Sequence, residues 1–600
     1  MQIIHEYEKI AGITNLPSIS IVKSYNNLNI KKIIYAFFLF FILYLFPNSI
    51  YDYSKSHIKN KKSITKNKIP TNEIVQENFF FIDSNNLKEI NSHLYGYIIT
   101  KKGIFTDNYY KNLGYYEEPE PLGVYVLIKK IGNIIQINQD FNGAFGLYIY
   151  ENKTARYFAL SNSFLFLEQH LIGKQNITLN KDYADNFIVS SLCSSVIQET
   201  IIREIICLPS NSFITIDITK KKLKIHLKNY NENTIPLESE EGMQIIDKWI
   251  DKWANIFRSL KKQTNNIIFD ISGGFHSRAV LSILLNSNID IKEILMKSIN
   301  VKMYQEDFEI ATNISSKLGF KLNSFVLDNN VTNWNSKDSL LCSIYSKLGF
   351  HKWFLLQTKF YNKPRFHITG EGGELISGYP NMPIEKYITA ISSSAKNIKG
   401  HEKEFFNTSM KILNRSIILL KNERSFESNY EISNLFYRRG RNRNHFGKTS
   451  LERFLANEYT LSPLIDPDIK QIKYIINDKS QQDLIAYIFI RLSPELVSFP
   501  YSSKRILNRD CIKKAEKLNK LFTPYKNKND YNDIFYIDKK RRSPVPSCSH
   551  FNNNTEYVNK LLQSTELKNA VKKIYDNNIY KWLKEFKYGL FTIAYTIDNL

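Results

Sequence analysis

Cysteine is scarce in this chain: five residues in 600 (Cys193, Cys207, Cys342, Cys511 and Cys548), with no CxxC pair among them. An odd, scattered set does not build a disulfide framework, and it fits a reducing compartment. A compact basic stripe interleaved with aromatics is also missing, which argues against a nucleic-acid partner. No internal repeat is visible. Acidic residues are in deficit, 58 against 81 Lys and Arg, for a formal net charge of +23. Two readings of that excess stand: anionic partners such as a nucleotide, a sugar phosphate or a membrane surface, or simply a lysine-rich composition spread evenly along the chain.

Long hydrophobic runs are rare as well. Residues 33–46, "IIYAFFLFFILYLF", carry no charge, and Pro47 follows. The run falls short of the roughly 20 residues of a bilayer span. The flank "NSIYDY" extends it, with Tyr51 and Tyr53 as interfacial aromatics. Lysines lie on both sides, more densely after the run, which favours a cytoplasmic C-terminal side. No A-x-A-like cleavage site follows, so a signal peptide fits less well. A buried core helix is the other reading. We expect an N-terminal segment (1–32), a membrane anchor (33–53) and a polar, lysine-rich linker (54–76), and hence a protein at the cytoplasmic face of the membrane or in the cytoplasm.

What is present is a globular composition, 43% hydrophobic and 14% aromatic, in a chain too long for one core. Residues 77–235 read mostly as strands: "HLYGYIIT", "GVYVLIKKI", "NIIQINQD", "AFGLYIYE", "RYFALSN" and "SFITIDI", separated by turn signals such as Asn142-Gly143. From about 240 to 600 the texture changes. Ile245, Ile246, Trp249, Ile250, Trp253, Ile256 and Phe257 recur at helical spacing, and helices then alternate with short apolar strands, as in an α/β domain with a parallel sheet.

The chemistry-bearing stretch opens that second domain. In "FDISGGFHSRAVLSILL" an apolar strand runs into Ser272-Gly273-Gly274, and an apolar helix follows. Glycines let backbone N–H groups approach a phosphate, and the helix N-terminus adds positive potential. About a hundred residues on, "FHITGEGGELISGYP" repeats the design with Glu371 and Glu374 in the turn. In a parallel sheet both turns lie at the carboxyl edge of the strands, where ligands bind.

Together the two turns resemble those of the asparagine synthetase family, including the related β-lactam synthetases. The family's SGGxDS is matched by Ser272-Gly273-Gly274-Phe275-His276-Ser277. Its GEGxDExxxGY is matched by Gly370-Glu371-Gly372, Glu374, Gly378 and Tyr379, with one residue fewer. "DFNGAFGLYIY", "FALSNS" and "IIREIICLPSNSFITID" resemble its N-terminal domain. The likeness covers roughly residues 77–510. It implies a degenerate N-terminal-nucleophile-like β-rich domain, then a pyrophosphatase-type (PP-loop) ATP domain with a parallel sheet.

By that resemblance the nucleotide would contact Ser272, Gly273, Gly274, His276, Ser277, Arg278, Gly370 and Gly372. Glu374 would hold Mg²⁺, Glu371 would act as general base, and Lys504 of "SSKRIL" would be the phosphate-contacting catalytic lysine. The expected reaction adenylates a carboxylate with ATP and transfers ammonia or a small amine, giving an amide, AMP and pyrophosphate. The closest likeness is to amide ligases of bacterial surface-polysaccharide pathways, which suggests a uronic-acid sugar as acceptor.

Two departures and one false lead qualify this. Gln2 stands where glutamine-using relatives carry their nucleophilic cysteine, and neither RGPD nor NGE occurs, so glutamine hydrolysis is not expected. His276 replaces a metal-binding aspartate, and imidazole suits softer metals than Mg²⁺. It then either donates to phosphate directly or marks a decayed site, leaving a nucleotide-binding or scaffold protein. Finally, "GRNRNHFGKTS" ends like a P-loop but has Asn442 where the first glycine must stand. Its Arg438, Arg441 and Arg443, with Arg439 and Lys448, read either as a clamp for an acidic substrate or as a solvated basic loop.

Overall fold

Ten strands build the N-terminal part of a computed structural model, which describes residues 77–522 except 101–102, 115–121, 191, 229, 231–233, 325–330, 334–342, 352–358, 376–379, 381 and 474–481, together with 525, 536–537, 569, 572 and 574–575. The expected anchor and linker lie outside the described residues. Among the described residues no helix is long and apolar enough to cross a membrane.

The strands are β1 (Phe81–Asp83), β2 (His93–Thr100), β3 (Gly103–Phe105), β4 (Gly123–Ile131), β5 (Ile134–Gln139), β6 (Tyr148–Asn152), β7 (Tyr157–Ser161), β8 (Ile205–Cys207), β9 (Ser212–Asp217) and β10 (Lys222–Leu227). They form two antiparallel sheets, a four-stranded one ordered β1-β7-β6-β8 and a larger one running β10-β9-β5-β4-β2-β3. Each of the six stretches read as a strand contains one, although 144–151 is strand only from Tyr148. Alternation also sets the faces of β4. Val124, Val126 and Ile128 join the main core, while Tyr125 and Leu127 meet Leu94, Ile98, Phe105 and Tyr110 in a second, smaller one. β2 and β4 approach closely through Gly96, whose added Cβ would lie 2.0 Å from the Val124 carbonyl oxygen.

The second domain begins with α1 (Glu240–Gln263), capped by the Ser239 hydroxyl, which accepts from the Gly242 N–H at 3.0 Å. Glutamates open it and lysines close it, as the helix dipole favours. Its apolar face is buried as its spacing predicts, with Ile245 only partly covered. The two indoles also bind across the core, Trp249 to the Pro463 carbonyl (3.0 Å) and Trp253 to Asp466 (2.7 Å).

Behind α1 stands a wholly parallel five-stranded sheet. It comprises β11 (Ile267–Asp270), β12 (Leu295–Lys297), β13 (Leu322–Asn323), β14 (Arg365–Ile368) and β15 (Glu458–Leu461), in the order β13-β12-β11-β14-β15. α2 (Phe275–Leu285) follows β11, and α3 (Gln305–Leu318) lies between β12 and β13. The chain is thus α/β, with antiparallel sheets followed by a parallel one.

The C-terminal stretch also contacts the first domain: β16 (Tyr536–Ile537) pairs parallel with β3 and completes a seven-stranded sheet. The Tyr575 hydroxyl donates to Asp185, also in the first domain, at 2.6 Å.

Candidate functional site

β11 and β14 are neighbours, paired Ile267↔Phe366, Ile268↔His367 and Phe269↔Ile368, so the turns that follow them emerge side by side at the carboxyl edge. The turns touch. A Cβ added at Gly370 would sit 2.6 Å from the Ser277 backbone nitrogen, and one at Gly373 would sit 2.3 Å from His276 Cγ. Glycine is required in the second turn because the first fills its space.

The first turn is tied internally. The Ser272 N–H donates to the Ser277 hydroxyl (3.1 Å), and the Gly274 N–H donates to the Ser272 hydroxyl (3.1 Å). The Gly273 N–H donates to Asp307 Oδ1 at 2.8 Å. Gly273 presents its carbonyl to the Ser502 N–H at 3.1 Å, which brings the turn Ser502–Lys504 against the glycines. The backbone of Lys504 is therefore beside the first turn; its side chain lies outside the described residues, as do Gly378 and Tyr379.

Arg278 sits differently from expectation, and His276 lies between the two turns. Arg278, expected beside phosphate, is fully buried and points away. Its guanidinium donates to the carbonyls of Gly273 (3.1 Å), Phe499 (3.1 Å) and Pro500, and stacks 4.0 Å from the Tyr501 ring centroid. It fastens the 496–502 segment under the turn. His276 packs on Gly373, and burial, reinforced by Arg505 and Lys470, lowers its pKa to about 3. Its surroundings thus favour the neutral ring, which can still donate a hydrogen bond but does not attract phosphate by charge.

In the second turn, Glu371 lies against Arg453 of α4 (Lys448–Leu455), with N···O distances of 2.8 and 2.9 Å. Arg453 also approaches Glu458 at 3.5 Å. Burial, with Glu371 nearby, raises the Glu374 carboxyl to about 7. Oxygen donors of this kind suit Mg²⁺; Glu374 stands in the second turn and Asp307 on the first. Among the described residues no group of three or more His, Cys, Asp or Glu is arranged to hold a metal ion.

Beneath the turns runs a charged chain that motif reading misses. His367 on β14 bridges Asp270 on β11 (2.7 Å) and Glu458 on β15 (3.0 Å), and Arg365 backs Glu458 at 3.2 Å. Burial alone would lower the His367 pKa, but Asp270 and Glu458 outweigh it and raise it to about 9. The same contacts overcome burial at Glu458 and pull it down to about 2, and they hold Asp270 well below the usual carboxylate range. The available signal was one polar residue inside each apolar, turn-bearing strand, Asp270 in "FDISGG" and His367 in "FHITGEGG".

The arginines of "RRGRNRNHFG" are not in a solvated loop. Arg438–Gly447 is a buried π-helix, a rare form often found at functional positions. Arg443 donates to the carbonyls of Gly143 (2.9 Å) and Leu208 (2.7 Å), Asn442 to Asn142 (3.1 Å), and Asn444 to the Ser194 carbonyl (3.0 Å). Lys448 donates to the Phe145 carbonyl and, at 3.2 Å, to the Tyr148 hydroxyl. Arg438 and Arg441 are buried in the same helix. Its described contacts join the two domains. A cavity of about 50 Å³, lined by Asp140, Asn142, Trp253, Ser450, Ser462 and Asp466 among others, lies at the same junction. It does not include the glycine turns.

The fold and site thus define an α/β protein with paired glycine turns on adjacent parallel strands, and with carboxylates in and beside them. No protein-family model and no curated protein matches the chain.

Proposed function

We propose that the chain is an ATP-dependent amide ligase of the asparagine-synthetase type, with a first domain like an N-terminal nucleophile domain that has lost its nucleophile and a second of the PP-loop kind. The observation that carries this reading is the contact between the two turns at the carboxyl ends of β11 and β14.

A carboxylate does not react with an amine at neutral pH. Its attack on the α-phosphate of ATP gives an acyl-adenylate and releases pyrophosphate. The Gly273 and Gly274 N–H groups, with Lys504, stabilise the leaving pyrophosphate, and Ser272, Ser277, Gly370 and Gly372 shape the nucleotide's seat. Glu374 would hold Mg²⁺, which would supply charge neutralisation at the phosphates. Glu371, oriented by Arg453, takes the proton of the incoming ammonia or small amine. Arg278 has no phosphate contact in this scheme; it holds the segment that carries Lys504. Arg438, Arg441 and Arg443 lie buried in the helix whose contacts join the domains. The acceptor is a uronic-acid sugar. An anchor at 33–53 places the domains at the cytoplasmic face of a membrane.

A second reading, a nucleotide-binding or scaffold protein without catalysis, is favoured by Asp307 on the Gly273 N–H and by the packed, neutral His276. Incubation with ATP, Mg²⁺, ammonium and a panel of uronic acids separates the two. Acid-dependent formation of AMP and pyrophosphate supports the ligase. ATP binding without turnover for any acid supports the scaffold.

A further inference from the structure

The hydrogen bond between the Gly273 N–H and Asp307 is out of place in a phosphate-binding turn. Such turns work by offering backbone N–H groups to an oxyanion. Here Asp307 Oδ1 accepts that N–H at 2.8 Å. The arrangement is tight: a Cβ on Gly273 would meet Asp307 Oδ1 at 2.9 Å, Ile310 Cδ1 at 3.0 Å and Ser502 Cβ at 3.0 Å. Asp307 stands in the first turn of α3, so the backbone of that helix fixes its approach.

The surroundings are those of an anion seat. Arg505 reaches within 3.8 Å of where a Gly274 Cβ would stand, and is held by the Ser502 hydroxyl (2.6 Å) and carbonyl (2.9 Å). The Asp307 charge acts on both Arg505 and Arg278. An aspartate carboxylate in this position makes the contacts that a phosphoryl oxygen would make.

We infer that Asp307 sets the anion affinity of this turn by occupying, with its own carboxylate, the N–H that a phosphoryl group must take. This rests on the reading of Ser272–Gly274 as a phosphate site. A bound phosphoryl group has to displace the carboxylate, because two anions cannot share one N–H at hydrogen-bond distance without strong repulsion. Asp307 is half-buried at the start of a helix, so its side chain can turn outward without disturbing the core. The turn therefore discriminates against loosely bound free phosphoanions.

The test is calorimetric titration of the full chain with inorganic pyrophosphate in the presence of a chelator, and with ATP and Mg²⁺. Native protein is compared with Asp307→Asn, Asp307→Ala and Glu306→Gln. Asn keeps the acceptor oxygen and removes only the charge. Glu306 is the adjacent exposed carboxylate, whose partner is the Ser503 N–H at 2.8 Å, and it controls for general electrostatics. Both Asp307 variants should bind pyrophosphate at least about tenfold more tightly, the lower end of what a charged hydrogen bond is worth. Glu306→Gln should change it by less than about threefold, as a screened surface charge does. Unchanged or weaker binding in the Asp307 variants, beside measurable native binding, overturns the inference alone. No binding of pyrophosphate or ATP by any folded variant overturns the phosphate-site reading and the inference with it.

Discussion

Replacing His367 with Gln should change how stability depends on pH, in a direction and window set by its partners. His367 is 5% exposed at its side chain and lies between Asp270 and Glu458. Its pKa rises from an ordinary 6.5 to about 9. Between those values the folded chain holds a proton that the unfolded chain has released, so stability falls as pH rises. The contribution is fully present below pH 6.5 and lost by about pH 9. A change of that size corresponds to roughly 3 kcal/mol. Lys448 acts with the opposite sign, since burial lowers its pKa from 10.5 to about 7 and its contribution grows with pH above that point. The quantity to compare is therefore the native-minus-variant difference, from urea unfolding at steps between pH 6 and 9.5, which cancels Lys448. The difference should shrink by about 3 kcal/mol across the window. Parallel curves would show that His367 is not held as an imidazolium, and would undo the electrostatic account of the charged chain beneath the turns.

Gly373→Ala should destabilise the chain by about 1–3 kcal/mol, the usual cost of overpacking, because its Cβ would lie 2.3–2.6 Å from three His276 atoms. Adding His276→Ala should restore most of the loss in thermal unfolding. Glu371→Gln keeps shape and removes basicity, so acid-dependent pyrophosphate release should survive while amide formation falls about 10²-fold; loss of ATP binding instead would place Glu371 in the metal's shell. The full chain should sediment with membranes in cell fractionation, whereas a version beginning near residue 70 should stay in the supernatant; equal partition of both refutes an anchor at 33–53.

The features that sequence reading found are those that local chemistry dictates. β-rich stretches bounded by turn signals at 93–100 and 123–131, helical spacing at 240–263 and glycine-rich turns after apolar strands each follow from local composition, period and backbone freedom. The features it missed depend on distant partners. Arg443 reads either as part of a clamp or as part of a solvated loop, yet the Gly143 and Leu208 carbonyls, 300 and 235 residues away in sequence, accept from it. Arg278 turned inward for the same reason, drawn to the carbonyls of the 496–500 segment. The Asp270–His367–Glu458 chain exists only because β11, β14 and β15 are neighbours in parallel register. The return of the C-terminal region to the first domain rests on a two-residue strand with no period to read.

The central claim is carboxylate activation at the α-phosphate of ATP, and an isotope experiment addresses it directly. A uronic acid labelled with ¹⁸O in its carboxylate is incubated with the full chain, ATP, Mg²⁺ and ammonium, and the nucleotide products are analysed by mass spectrometry. The account predicts one ¹⁸O in AMP for each amide formed, because the acyl–oxygen bond is the one that breaks when the amine attacks the adenylate. Label in inorganic phosphate with ADP as product, or amide formation with unlabelled AMP, would contradict it.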